Sequence, residues 1–204
     1  MMILELKGTQ VLDYLDQLAG LRLNIFREYP YLYDGQLEDE RRYLSGYADQ
    51  GLVLLALDAG RVAGAITGMP LAQESEAFVA PFRNAGLAPE QFYYIGELLL
   101  QADYRNLGWG SRLLARLEQL VGEEGRFSQY CLATVVRPEA HPSRPVGFVP
   151  IERFCRQHGY DLMSGVVAQV PWQELDGQVS SKQLEFWHKA CLAPEGCLRR
   201  DGQS

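Results

Sequence analysis

Arg105-Asn106-Leu107-Gly108-Trp109-Gly110-Ser111 is the stretch of this chain best suited to holding an anion. Two glycines permit a tight turn with exposed backbone, and glycine lets a phosphate approach without meeting a Cβ. A leucine-rich segment follows at helical spacing. The first amides of a helix lack internal partners, point outward and sit at the positive end of its dipole. A phosphate-bearing ligand at residues 106–111 is therefore expected, against the plainer reading of a strand-turn-helix corner without a ligand. A second candidate is Glu97, a charged residue inside an otherwise apolar run. A carboxylate there has a partner or a purpose, because burying it alone is costly. It is either a catalytic base or one half of a pair with an arginine or with solvent. The third is Tyr29-Pro30-Tyr31-Leu32-Tyr33-Asp34, where three tyrosines in five residues supply flat amphipathic surface with hydroxyl handles. They either line a pocket or cover the core.

The elements that position these residues follow from periodicity. Tyr94, Ile95, Leu98, Leu99 and Leu100 form an apolar run of strand length. Leu113, Leu114, Leu117, Leu120 and Val121 recur on one face of a helix, with Arg112, Arg116, Glu118 and Glu123 on the other. Before this unit, residues 2–6 suit a strand and Val11 to Phe26 a helix. Pro30 disfavours helix at Tyr29, Asp34-Gly35 signals a turn, and Glu38 to Tyr47 suits a second helix. Gly51 to Leu57 and Arg61 to Met69 form an antiparallel hairpin about Asp58-Ala59-Gly60. Residues 70–91 read as an insertion, longer than a plain hairpin link, with a helical stretch near Glu76 to Asn84. After the central unit come a strand over Gln129 to Val136 and a proline-rich loop over Arg137 to Pro150. A short helix over Ile151 to His158, ended by Gly159, leads to strands over Tyr160 to Trp172 and Gln183 to Cys191. The expected domain spans residues 1–192, with residues 193–204 a flexible tail.

Composition limits the function. The chain has 204 residues and a formal net charge of −7, with no run of lysine and arginine. That disfavours nucleic acid as a partner and fits a cationic ligand such as an amine. No segment has the roughly 20 apolar residues of a membrane span, and no signal peptide is evident, so no membrane partner is expected and the cytoplasm is the expected location. Cys131, Cys155, Cys191 and Cys197 match no zinc or CxxC spacing, and His141, His158 and His188 are scattered, so no metal is expected.

Two common phosphate motifs fail on named residues. A P-loop needs a lysine after its glycine, and a dinucleotide fingerprint needs glycine where Leu113 stands. What remains, Arg105-Asn106-Leu107-Gly108-Trp109-Gly110, resembles the (Q/R)xxGx(G/A) signature of the GNAT acetyltransferases. The element order β-α-α-β-β-β-α-β-α-β-β is also similar to that family's, over roughly residues 2–190. The resemblance implies an α/β (α+β) fold, a mixed, mostly antiparallel central sheet flanked by helices. It implies acetyl-coenzyme A as co-substrate. The amides around Arg105, Asn106, Leu107, Gly108, Trp109, Gly110 and Ser111 would take the pyrophosphate. The backbone of Leu98, Leu99 and Leu100 would bond the pantetheine arm where the fourth strand splays from the fifth. Arg105 would add charge at the turn, unless it is a solvated surface arginine.

Acetyl transfer to an amine needs a fixed donor, a base and a leaving thiolate that is stabilised or protonated. The resemblance makes Glu97 the base and places Tyr29, Tyr31, Tyr33 and Asp34 at the acceptor. Where many family members have a thiolate-protonating tyrosine this chain has Cys155, and Phe148 stands near a family asparagine. Cys155, Tyr160, Tyr130 or water could supply that proton, although a cysteine at such a position is more commonly a small buried hydrophobe. The expected function is transfer of an acetyl group to a primary amine, of a small molecule or a protein N-terminus, by direct attack in a ternary complex. A non-catalytic acyl-CoA-binding sensor or scaffold is the alternative. A homodimer through an exposed Trp172 or Trp187 is possible on this reading.

Overall fold

The computed structural model describes residues 1–191; the expected flexible tail lies outside the described residues. Seven strands form one sheet in the order β1-β2-β3-β4-β5-β7-β6. They are β1 (Met2–Lys7), β2 (Leu52–Asp58), β3 (Arg61–Pro70), β4 (Phe92–Leu100), β5 (Gln129–Val135), β6 (Asp161–Gln173) and β7 (Val179–Ala190). Every neighbouring pair is antiparallel except β4 and β5. The β2–β3 turn is Ala59-Gly60, and both residues have positive φ, as a two-residue hairpin turn requires.

Among the described residues, six α-helices cover the two faces. On one lie α1 (Leu15–Phe26), α2 (Leu37–Ser45) and the single turn α3 (Tyr47–Gln50). They bury Leu18, Leu21, Leu44 and Tyr47 against Val53, Leu55, Ala65 and Leu99. The expected helix over Val11 to Phe26 is divided, because Gly8–Tyr14 takes the tighter 3-10 form. On the other face, α5 (Trp109–Glu124) and α6 (Ile151–Gln157) pack against Leu54, Ile66, Tyr93 and Ile95. The buried side of α5 carries the predicted Leu113, Leu114, Leu117 and Val121, and that helix stops at Gly125, which has the φ of +62° that a C′ glycine supplies. The insertion forms α4 (Glu76–Asn84), whose Phe82 packs on Phe92 and Phe186 in a third cluster.

Two irregularities in β4 create the space for a site. First, its register with β3 shifts between Thr67 and Gly68: Thr67 faces Glu97, while Gly68 faces Ile95. Gly96 is the extra residue of a β-bulge, so Gly96 and Glu97 both turn to the α1 face. Gly96 is required, because a Cβ there would come within 2.2 Å of the Tyr47 hydroxyl. Secondly, β4 pairs with β5 only from Phe92 to Ile95. Beyond that point the strands diverge, and the edge of Gly96 to Leu100 facing β5 has no strand partner.

The late hairpin corrects one expectation. Trp187 is only 1% exposed and donates its indole N–H to Thr134. Trp172 is half-buried and donates to the Tyr31 carbonyl at 3.2 Å. Neither is an exposed surface for pairing subunits, because each ring is spent inside the chain.

Candidate active site

Two cavities meet where β4 leaves β5. The first, of about 650 Å³, lies between Leu98 and Leu100, the start of α5 and the start of α6. The turn residues Arg105, Asn106, Gly108, Gly110 and Ser111 line it, with Tyr29, Pro30 and Tyr31 opposite. Asn106 and Gly108 have φ of +60° and +80°, which curls the backbone into an open turn. The first bond of α5 is Arg112 N–H to the Gly108 carbonyl at 3.1 Å. Trp109, Gly110 and Ser111 thus precede any intrahelical partner, and α5 has neither a side-chain cap nor an acidic residue in its first turn. Such a helix end offers free amides and a positive dipole to an anion.

The side chains of the turn are already engaged. Arg105 donates Nε to the Leu100 carbonyl at 2.9 Å and forks onto the Glu28 carboxylate at 2.7 and 3.0 Å. Its guanidinium is thus ion-paired, with the side chain still 37% exposed. His158 donates Nδ1–H to the Phe154 carbonyl, which leaves Nε2 to accept the Ser111 hydroxyl at 2.9 Å. Leu107 is exposed, and the Trp109 ring carries the Arg112 guanidinium 4.7 Å from its centroid. At both positions only the backbone can serve the turn. Leu98 and Leu100 point into this cavity, and Leu99 points into the α1 layer.

The second cavity, of about 830 Å³, opens on the α1 face and is walled by aromatic rings from α1, α2, α4, β4 and β6. Tyr31, Tyr33, Tyr43, Phe78, Tyr94 and Trp172 form most of the wall, and Asp49, Glu74, Glu97 and Arg22 carry its charges. Three carboxylates against one guanidinium leave the wall acidic, which favours a cation.

Glu97 is 5% exposed and reaches this cavity through the bulge. One carboxylate oxygen accepts from the Thr67 hydroxyl at 2.8 Å; the other meets the Arg22 guanidinium. The same guanidinium pairs with the buried Glu40 and lies over the rings of Tyr43 and Phe26, 4.4 and 4.7 Å from their centroids. Burial alone would disfavour its charge, but Tyr43 and Glu40 outweigh that and raise the Arg22 pKa. The Tyr47 hydroxyl joins Tyr43 at 3.0 Å, and burial pushes the Tyr47 pKa up to about 12.

Four expected positions move. Tyr29 lines the first cavity rather than the second, because its ring is held edge-on to Phe148 at 4.7 Å. Asp34 lines neither; it accepts from Arg27 at 2.8 Å on the surface. Tyr160 is buried on the far side of α5, donating to Glu118 at 2.7 Å, while Tyr130 donates to the Glu118 carbonyl. Glu118, expected on the outer face, is thus drawn inward by Tyr160 and Lys189. Cys155 is 1% exposed within the α5–α6 core and lines neither cavity. Burial, reinforced by Glu152, pushes its thiol up to about 12. Tyr31 and Tyr33 line the second cavity. Sequence reasoning missed Arg22, although an arginine among Leu18, Leu21 and Phe26 is the same signal as a glutamate among leucines.

Among the described residues no group of three or more His, Cys, Asp and Glu is placed to hold a metal ion. No described helix is long and apolar enough to cross a membrane.

Comparison with known proteins agrees with this architecture. An aminoglycoside 6'-N-acetyltransferase crystallised with coenzyme A superposes with a TM-score of 0.59 at 16% identity, over 94% of this chain and 98% of that one. The ribosomal-protein-alanine N-acetyltransferase of Brucella melitensis gives 0.61 at 16% identity, over 93% and 99%. The aminoglycoside 6'-N-acetyltransferase of Enterococcus faecium gives 0.59 at 15% identity, over 94% and 98%. No protein of curated function matches the chain in sequence. The sequence profile of the Acetyltransferase (GNAT) family matches residues 18–146, well over half of the chain, and that span holds the α5 turn, the bulged strand and Arg22. The chain therefore belongs to the GNAT family of acetyltransferases.

Proposed function

We propose that this protein is an N-acetyltransferase that carries the acetyl group of acetyl-CoA to a primary amine by direct attack in a ternary complex. One observation carries the reading: the cavity at the free amides of α5 and the acidic, aromatic cavity adjoin at the splayed edge of β4. A donor held by its diphosphate at Gly108–Ser111, with its arm along Leu98 to Leu100, would bring its thioester toward Glu97. An amine in the second cavity would meet it there, and fixing the two together is the largest entropic help a protein can give. Tyr31 and Tyr33 serve as acceptor walls, with Asp49 and Glu74 favouring a cationic group. Glu97 serves as base, directly or through water. The described cysteines are free thiols, which suits the cytosol.

A second reading, an acyl-CoA-binding protein without turnover, draws support from the engagement of Glu97 with Arg22 and Thr67. Titration calorimetry with CoA and thiol release from acetyl-CoA across an amine panel separate the two. Binding with amine-dependent thiol release supports the enzyme. Saturable binding without release supports the sensor. No saturation at millimolar CoA removes both.

A further inference from the structure

Tyr31 is the one described residue that lines both cavities. We infer that its hydroxyl is the group that protonates the departing thiolate, a role resting on the transferase reading above.

Among the described residues, those bearing a hydroxyl in the lining of the donor cavity are Tyr29, Tyr31 and Ser111. Ser111 is committed to His158 at the diphosphate end, where no thioester sulfur can sit. Tyr29 packs on Phe148 and His141 and lies outside the acceptor cavity. Tyr31 alone faces both the donor and the acceptor, as a group that acts on the bond between them must. Its hydroxyl makes no hydrogen bond among the described residues, so it is free to donate.

The backbone of Tyr31 is held firmly. Its carbonyl accepts from Arg137 at 2.8 Å and from the Trp172 indole at 3.2 Å, and the Pro30 carbonyl accepts Arg137 Nε at 2.7 Å. Arg137 is in turn paired with Glu174, which also holds Lys182. The ring stacks on Phe26, with centroids 4.3 Å apart. The charged and titratable groups around the hydroxyl are Arg22 from α1 and Cys155 and Glu152 from α6. Burial, opposed by Arg22, pushes the Tyr31 pKa up to about 12. The phenol therefore stays protonated at neutral pH and serves as an acid rather than a base. It approaches from the loop, toward the neighbourhood of the Cys155 thiol, which is itself too buried to reach either cavity.

The step balances as follows. The free amine nitrogen attacks the thioester carbon, the C–N bond forms and the C–S bond breaks. Sulfur takes the Tyr31 proton to leave as the CoA thiol, and Arg22 steadies the transient phenolate. The nitrogen loses its proton to Glu97 or water, and Tyr31 regains one from solvent.

The test uses the full-length protein with acetyl-CoA and its best amine. Tyr31→Phe is expected to lower kcat about 100-fold. CoA affinity by calorimetry, both KM values and Tm should stay within twofold or two degrees of wild type. Replacing Tyr31 by a ring-fluorinated tyrosine, a more acidic phenol, should keep turnover and move the alkaline fall of kcat to lower pH. A wild type that turns over while Tyr31→Phe retains kcat within threefold overturns the inference and leaves the transferase reading intact. A change confined to the amine KM overturns it too, since it marks a binding wall only. A wild type that binds CoA yet acetylates nothing removes the parent reading and this one with it.

Discussion

The guanidinium of Arg22 on α1 closes an ion pair on the carboxylate of Glu97 on β4, across the floor of the acidic cavity. Neither charge is tolerable alone in that setting, since both groups are largely withdrawn from water and Glu40 adds a second buried carboxylate. The pair fixes α1 to the bulged strand and holds the candidate base in the wall of the acidic cavity.

Removing one partner should therefore cost far more than removing a surface pair. Arg22→Met is expected to destabilise the fold by about 3–5 kcal/mol, because it leaves two buried carboxylates uncompensated. Urea denaturation checks this. Glu97→Gln retains the Glu40 partner of Arg22 and should fold, yet lose about 100-fold in kcat with CoA affinity unchanged. Full turnover in that variant across pH would dismiss Glu97 as the base.

The anion site depends on backbone shape. Gly108 has φ of +80°, which an alanine adopts only with about 1–2 kcal/mol of strain. Gly108→Ala should weaken CoA binding about tenfold in calorimetry, while the amine KM changes little. A Cβ on Gly110 meets only ordinary contacts at 3.5 Å and beyond, so Gly110→Ala should fold normally and isolate the effect of crowding the diphosphate.

The acidic wall is read by the amine alone. Glu74 accepts from Tyr43 at 3.3 Å at the edge of the acceptor cavity and is not ion-paired among the described residues. Glu74→Gln should raise KM for a cationic amine about threefold, as one partly screened charge allows, without altering CoA affinity. The effect should shrink in high salt. An equal change for a neutral amine analogue would show that charge is not what this wall reads.

Buried acids set the alkaline limit. The pKa values of Tyr47 and Cys155 are both pushed up to about 12. In the window from their unfolded values to that point, the folded state holds more protons than the unfolded chain. Stability is therefore complete below the unfolded pKa and falls as pH rises toward 12. Tyr47 alone accounts for on the order of 2–3 kcal/mol. Tm measured between pH 8 and 11 should be flat at first and then drop. Alkylation by iodoacetamide at pH 8 should spare Cys155, whose thiol is buried and protonated there.

Most of the framework was legible because it rests on local signals. The leucine spacing of α5, the Ala59-Gly60 turn and the two-glycine corner each state their conformation within a few residues. The tyrosine loop was half legible. Its composition announced a wall, but which cavity each ring faces depends on Arg137, Trp172 and Phe148, more than 100 residues away in sequence. The bulge at Gly96 was not legible at all. A glycine in a strand has many uses, and only the approach of the Tyr47 hydroxyl explains this one. Cys155 and Tyr160 carried suitable chemistry, yet tertiary packing sends both into the α5 core. Arg22 could have been found by the reasoning that found Glu97, applied to the helix as well as the strand.

The divergence of β4 from β5 leaves four cross-strand pairs as the whole seam between one half of the sheet and the other. A long, thin guest laid into that cleft would act as a splint. It would be expected to slow amide hydrogen exchange in strands it never touches, β6 and β7 among them, and to blunt proteolysis well away from its own footprint.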